Sequence, residues 1–129
     1  MSNESQLSPA PEDASALPKP VSFYELLDEI RRRPTLYFGR KSLRDFYAFL
    51  NGYHCGRSFA GATPSVEEEE FGQFDLFVQR KYRWYDCGGW AAKIAYYHWD
   101  DAAALDEFFK LLDEFREAQR RRKRRKREQ

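Results

Sequence analysis

Three times along this 129-residue chain a serine is followed three residues later by an acid, inside a run of apolar side chains at helical spacing. Ser22 and Glu25 open the run Phe23, Leu26, Leu27, Ile30; Ser42 and Asp45 open Phe46, Phe49, Leu50, Tyr53; Ser65 and Glu68 open Phe71, Phe74, Val78, Tyr82, with Phe77 beside it. A serine at the N-cap accepts a hydrogen bond from the amide three residues on, and a glutamate there can return one. Apolar residues at i, i+3, i+4 and i+7 line one helix face. Val21 and Leu26 add the two positions of a hydrophobic staple to the first start. A chain with such starts is expected to fold as packed helices.

The stops are as explicit as the starts. In RRRPTLYFGRK, Pro34 has no amide hydrogen and pushes Arg33 out of the helical region, so the first helix ends near Arg33 with its cations against the negative end of the dipole. Leu36, Tyr37 and Phe38 are expected to tuck into the core as a short turn, reversed at Gly39. The second helix should stop at Gly56, before the loop GRSFAGATP. The third should run to about Tyr85, weakened at Gly72 by about 1 kcal/mol relative to Ala. After Gly88 and Gly89, residues 90–99 read as helix or strand; Trp90, Ile94 and Tyr97 favour helix. Asp100 or Asp101 then caps a long helix carrying Leu105, Phe108, Phe109, Leu112 and Phe115. Its last turns are expected to dissolve into a basic tail.

Residues 1–20 hold four prolines and no apolar period, so they read as a disordered arm. The rest must bury a core, since 42% of the chain is apolar and 17% aromatic. The expected organisation is a mainly α single domain of four or five helices over 21–117, between the arm and a tail over 118–129. Cys55 and Cys87 are too few for a disulfide scaffold or a cysteine zinc site. With no apolar leader and no span of about 18 apolar residues, the reading is a cytoplasmic protein without a membrane partner.

Charge is divided rather than scarce. Residues 120–127 hold eight of the 22 Lys and Arg, leaving 14 basic against 20 acidic side chains in residues 1–119. Arg120, Arg121, Arg122, Lys123, Arg124, Arg125, Lys126 and Arg127 are therefore candidate phosphate contacts, for weak nucleic-acid binding without base readout. The same tail could instead fold back on the acidic body or serve solubility. Glu67, Glu68, Glu69 and Glu70 crowd one turn, where anions meet the helix dipole and also repel one another. They are either a solvated helix start or an acidic surface for a cationic partner. Trp84, Tyr85 and Trp99 belong to more rings than a small core needs, and surplus rings suit an interface.

No catalytic set emerges. His54 beside Cys55 would point about 100° away on a helix, and Cys87 with His98 matches no nucleophile signature. Two histidines and scattered carboxylates form no metal-ligand pattern, and no cofactor is expected. The reading is not an enzyme.

Two resemblances bear on function. Arg33, Pro34, Tyr37 and Gly39 resemble a short segment of the ATPase domain of type II topoisomerase B subunits, Arg-Pro-Gly-Met-Tyr-Ile-Gly. That family's Glu-x-x-x-Asn helix and Asp-x-Gly-x-Gly are missing and the chain is too short for the domain, so no ATP site follows. Over residues 22–117, YELLDEIRRRPTLYFGRKSLRDFYAFLNGY, FDLFVQRKY and GWAAKIAYYHWDDAAALDEFFKLLDEF resemble a group of small bacterial helical proteins. That group is similar to immunity-type proteins of toxin systems. The resemblance implies a non-enzymatic module that binds and neutralises a basic toxin or other protein, and it brings no catalytic residues. The alternative is a nucleic-acid-associated protein working through its tail.

Overall fold

The computed structural model describes residues 22–86 and 88–128, so the expected arm over 1–20, the staple residue Val21 and Cys87 lie outside the described residues. Seven helical segments follow one another: α1 Phe23–Arg32, α2 Pro34–Phe38, α3 Leu43–Phe59, α4 Val66–Phe71, α5 Phe74–Tyr82, α6 Trp90–Tyr96 and α7 Asp101–Glu128. The described residues are mainly helical, in more pieces than the expected four or five.

The three serine starts hold. Ser22, Ser42 and Ser65 each accept from the amide three residues on, and Ser65 with Glu68 forms the full reciprocal box. Ser42 does more: buried, it also donates to Asp101, whose other oxygen accepts from the Arg44 amide at 3.4 Å. One carboxylate thus ties the start of α3 to the start of α7. Asp100 accepts from the Ala102 amide at 3.3 Å and caps α7.

Several boundaries differ from expectation for identifiable reasons. Pro34 does stop α1, but its fixed φ also starts the one-turn α2, which Gly39 closes at φ +87°. Tyr37 and Phe38 pack against the core while Leu36 stays exposed. Helix α3 passes through Gly56, as through Gly52, and ends at Phe59, where the Ala60 amide donates to the Gly56 carbonyl; Arg57, held by Glu68 and the Thr63 carbonyl, supplies tertiary bonds that offset the cost of the glycines. The third expected helix is two, because the chain turns at Gly72 and Gln73. A Cβ on Gly72 would lie 3.1 Å from the Glu69 carbonyl oxygen. Residues 90–96 are helical.

Helix α7 forms the spine, packed by α3, α5 and α6. Phe108 sits among Phe46 at 4.8 Å, Trp90 at 4.9 Å, Phe109 at 5.0 Å and Phe74 at 5.3 Å between ring centres. Offset and edge contacts in this range add to the roughly 1.5–3 kcal/mol that each buried large apolar side chain contributes. Leu111 and Ala104 are buried too, beyond the expected stripe, because α7 is covered on more than one side.

The largest correction is the tail. It does not dissolve: α7 continues as helix through Glu128, with residues 120–128 all exposed. Arg and Lys are good helix formers, their charges favour a helix C-terminus, and the packed half of α7 supplies the nucleus. Glu117 adds pairs to Arg120 at 3.0 Å and Arg121 at 3.5 Å. No helix among the described residues is long and apolar enough to cross a membrane.

Candidate functional site

The four glutamates of α4 do not form one free acidic face. Glu67 accepts from the Tyr24 amide at 2.7 Å, capping the first turn of α1 from another helix. Glu68 closes the box with Ser65 and takes a two-pronged bond from Arg57, at 2.9 and 2.8 Å, with its side chain 6% exposed. Burial works to raise this carboxyl, but the Ser65 amide, Arg57 and the Ser65 hydroxyl hold it below its ordinary value. Glu70 accepts from the Tyr24 hydroxyl at 2.7 Å and pairs with Lys123 at 2.9 Å. Burial and the Glu70 carboxylate push the Tyr24 hydroxyl well above its usual range. Glu69 is left exposed. Self-repulsion on this turn is therefore relieved mostly within the chain.

The Lys123 pair also settles where the basic segment lies. It runs alongside α4 across an open cleft of 720 Å³, with Glu69, Glu70 and Gln73 on one wall and Arg122, Lys123 and Lys126 on the other. Of the three sequence readings for the tail, folding back on acidic residues is partly realised, as a stiff helix touching at one ion pair.

The aromatic surplus gathers at the other end of α7. Trp84 meets Tyr96 edge-on at 5.0 Å, Tyr82 meets Tyr97 at 4.8 Å, and Tyr96 meets Tyr97 at 5.1 Å. Tyr85, Tyr96 and Tyr97 remain exposed, and Trp99, in the turn before α7, is 101% exposed. Trp84 is half-buried as the inner wall of the group.

Sequence reasoning missed the residue that holds this end in place. Lys93, on the inner face of α6, is 1% exposed; its ammonium donates to the Asp86 carbonyl at 3.2 Å and to the Gly88 carbonyl. It also lies 5.6 Å from the Trp84 ring centre. A buried cation is tolerated only when its donors are used, and here they fasten the loop between α5 and α6. Its partners are main-chain oxygens, which leave no side-chain pattern to read. Arg83 enters that loop at φ 55°, a left-handed conformation that a non-glycine residue rarely adopts.

Among the described residues, His54 is engaged elsewhere than with Cys55. His54 turns its Nδ1 to Glu68 Oε2 at 3.5 Å and packs against Phe23, while Cys55 is exposed. The Cys87 and His98 pairing lies outside the described residues. Among the described residues, no three His, Cys, Asp or Glu side chains gather as a metal site. Tyr82 carries a buried hydroxyl without a hydrogen-bond partner, and burial beside Glu107 pushes it up to about 12.

Comparisons with protein-family models, with curated proteins and with solved structures return no match.

Proposed function

We propose that the protein is a non-enzymatic protein-binding module, immunity-like in its manner of action, which captures a partner through the aromatic end formed by residues 82–99. The observation that carries this reading is the group of Tyr85, Tyr96, Tyr97 and Trp99, rings left in water beside a clamped loop. Exposed Trp and Tyr contribute nothing to the monomer's core, yet they supply most of the energy at protein interfaces when desolvated. Edge-on contacts hold Tyr96 and Tyr97 against Trp84, and the Lys93 clamp fastens the loop beside Tyr85, which lowers the ordering cost of binding. Asp86 follows Tyr85 and Asp100 follows Trp99, so two of the four exposed rings have a neighbouring carboxylate in sequence. That pairing suits a partner presenting arginine or lysine, stacked on a ring and paired with an acid. The resemblance to immunity-type proteins supports the same class of role, in the cytoplasm.

Glu69 belongs to the acidic surface that the sequence left open as an alternative; Glu67, Glu68 and Glu70 already serve the fold. The test is affinity capture from nuclease-treated native lysate with the full chain, a Tyr85→Ala/Trp99→Ala chain and a Glu69→Lys chain. The expected result is one stoichiometric protein held by the wild type and by Glu69→Lys, and lost from the double variant. Undiminished capture by the double variant would overturn the reading. Expressing the captured protein alone should arrest growth and co-expression should relieve it; a harmless partner would remove the immunity component.

A further inference from the structure

The last two turns of α7 lie about 35 Å along the helix from its start beside Trp99, at roughly 1.5 Å per residue, and their chemistry is different. We propose that residues 120–127 form a helix that seats in the major groove of double-stranded DNA and grips its phosphates without reading sequence, with Glu70 as an internal competitor for the site.

Charge density is the first argument. Eight cations occupy about 12 Å of helix axis, and a DNA duplex carries one phosphate per about 1.7 Å. Direction is the second. At about 100° per residue, eight consecutive cations point all round the helix, and every one of them is exposed. A flat anionic membrane would meet one side only, and residues 118–128 contain no large apolar side chain to insert. A major groove about 12 Å wide admits a helix and presents phosphates on both flanks. Pre-organisation is the third. The segment is already helical, continuous with the packed half of α7 and paired back to Glu117, so little ordering remains for the moment of binding.

Glu70 enters because it occupies a phosphate's place. Its carboxylate is steadied by the Tyr24 hydroxyl and ion-paired with Lys123, on the wall of the cleft that Arg122 and Lys126 also line. A phosphate that takes Lys123 must displace this carboxylate or share the cation with it.

The test is anisotropy of two labelled DNA duplexes of unrelated sequence, titrated with the full chain across a salt series. Both should bind equally, with affinity falling steeply as salt rises. The Arg124→Gln/Arg125→Gln/Lys126→Gln/Arg127→Gln chain should bind about tenfold or more weakly at low salt, its log–log slope flattened by about 0.9 per lost phosphate contact. Glu70→Gln keeps an acceptor for Tyr24 and should bind about three- to tenfold more tightly. The Tyr85→Ala/Trp99→Ala chain should bind as the wild type does, which keeps this result separate from partner capture. Absence of duplex binding, or a slope unchanged in the quadruple variant, would overturn the proposal. A single strand bound as tightly as the duplex would overturn the groove seat. Tighter binding to phosphatidylserine vesicles at matched salt and charge would reassign the helix to membranes. Unchanged or weaker binding by Glu70→Gln would remove the competitor.

Discussion

The two halves of α7 share one backbone and almost nothing else. The first carries Ala104, Leu105, Phe108, Phe109, Leu111, Leu112 and Phe115 into the core, whereas residues 120–128 touch the body mainly through one lysine. One half is helical because burying it removes apolar surface from water. The other is helical because of propensity, pairs three and four residues apart, and a nucleus supplied from upstream. Core burial is thus confined to one half of the element, and substitutions that cost stability should fall in that half.

Phe108→Ala should show the largest effect, a loss of about 3–5 kcal/mol, read by denaturant unfolding. A loss under about 1 kcal/mol would break the claim that the first half is the spine. Next comes a contrast of two carboxylates that both hold arginines, Glu68 in the body and Glu117 at the tail. Glu68→Ala removes a reciprocal cap and leaves Arg57 without its main partner, for about 1–3 kcal/mol. Because the folded Glu68 carboxyl is depressed, its contribution is present above about pH 4.3, the unfolded value, and is lost as pH falls through the folded one. An acid titration of stability should therefore flatten in Glu68→Gln; an identical acid limb would contradict it.

Tyr82→Phe should be neutral or stabilising by up to about 1 kcal/mol, since it removes a buried hydroxyl without a partner. The raised Tyr82 value also predicts an alkaline effect. Its contribution is complete below about pH 10, where the unfolded hydroxyl titrates, and is lost as pH rises through the folded value of about 12. The stability difference between wild type and Tyr82→Phe should be constant below that window and widen within it, as only the wild type loses stability to this titration. Glu117→Gln should be the mildest change. Arg120 and Arg121 hold its carboxyl below the ordinary range, and removing the charge should fray the tail. Far-ultraviolet dichroism should fall slightly with the melting temperature unchanged; a lowered melting temperature would show that the two halves are coupled.

What the sequence made legible was local. Ser22, Ser42 and Ser65 announced their helices because a cap and its amide are three residues apart, and Phe46, Phe74 and Phe108 announced the core by spacing. The break at Gly72 was hidden because Phe71 and Phe74 keep helical spacing across it. The roles of Glu67 and Glu70 were hidden because their partner, Tyr24, is 43 and 46 residues away. Lys93 was invisible because it binds carbonyl oxygens, which every residue has. The surplus of rings was countable from sequence, but only tertiary packing sorts Trp90 into the core and Trp99 into water.

The most direct test of the aromatic end is hydrogen–deuterium exchange on the full chain, alone and saturated with the captured protein. New protection should concentrate in residues 82–99, with residues 120–128 exchanging as before. Protection over residues 66–70, with residues 82–99 unchanged, would contradict it and return the binding surface to the acidic helix.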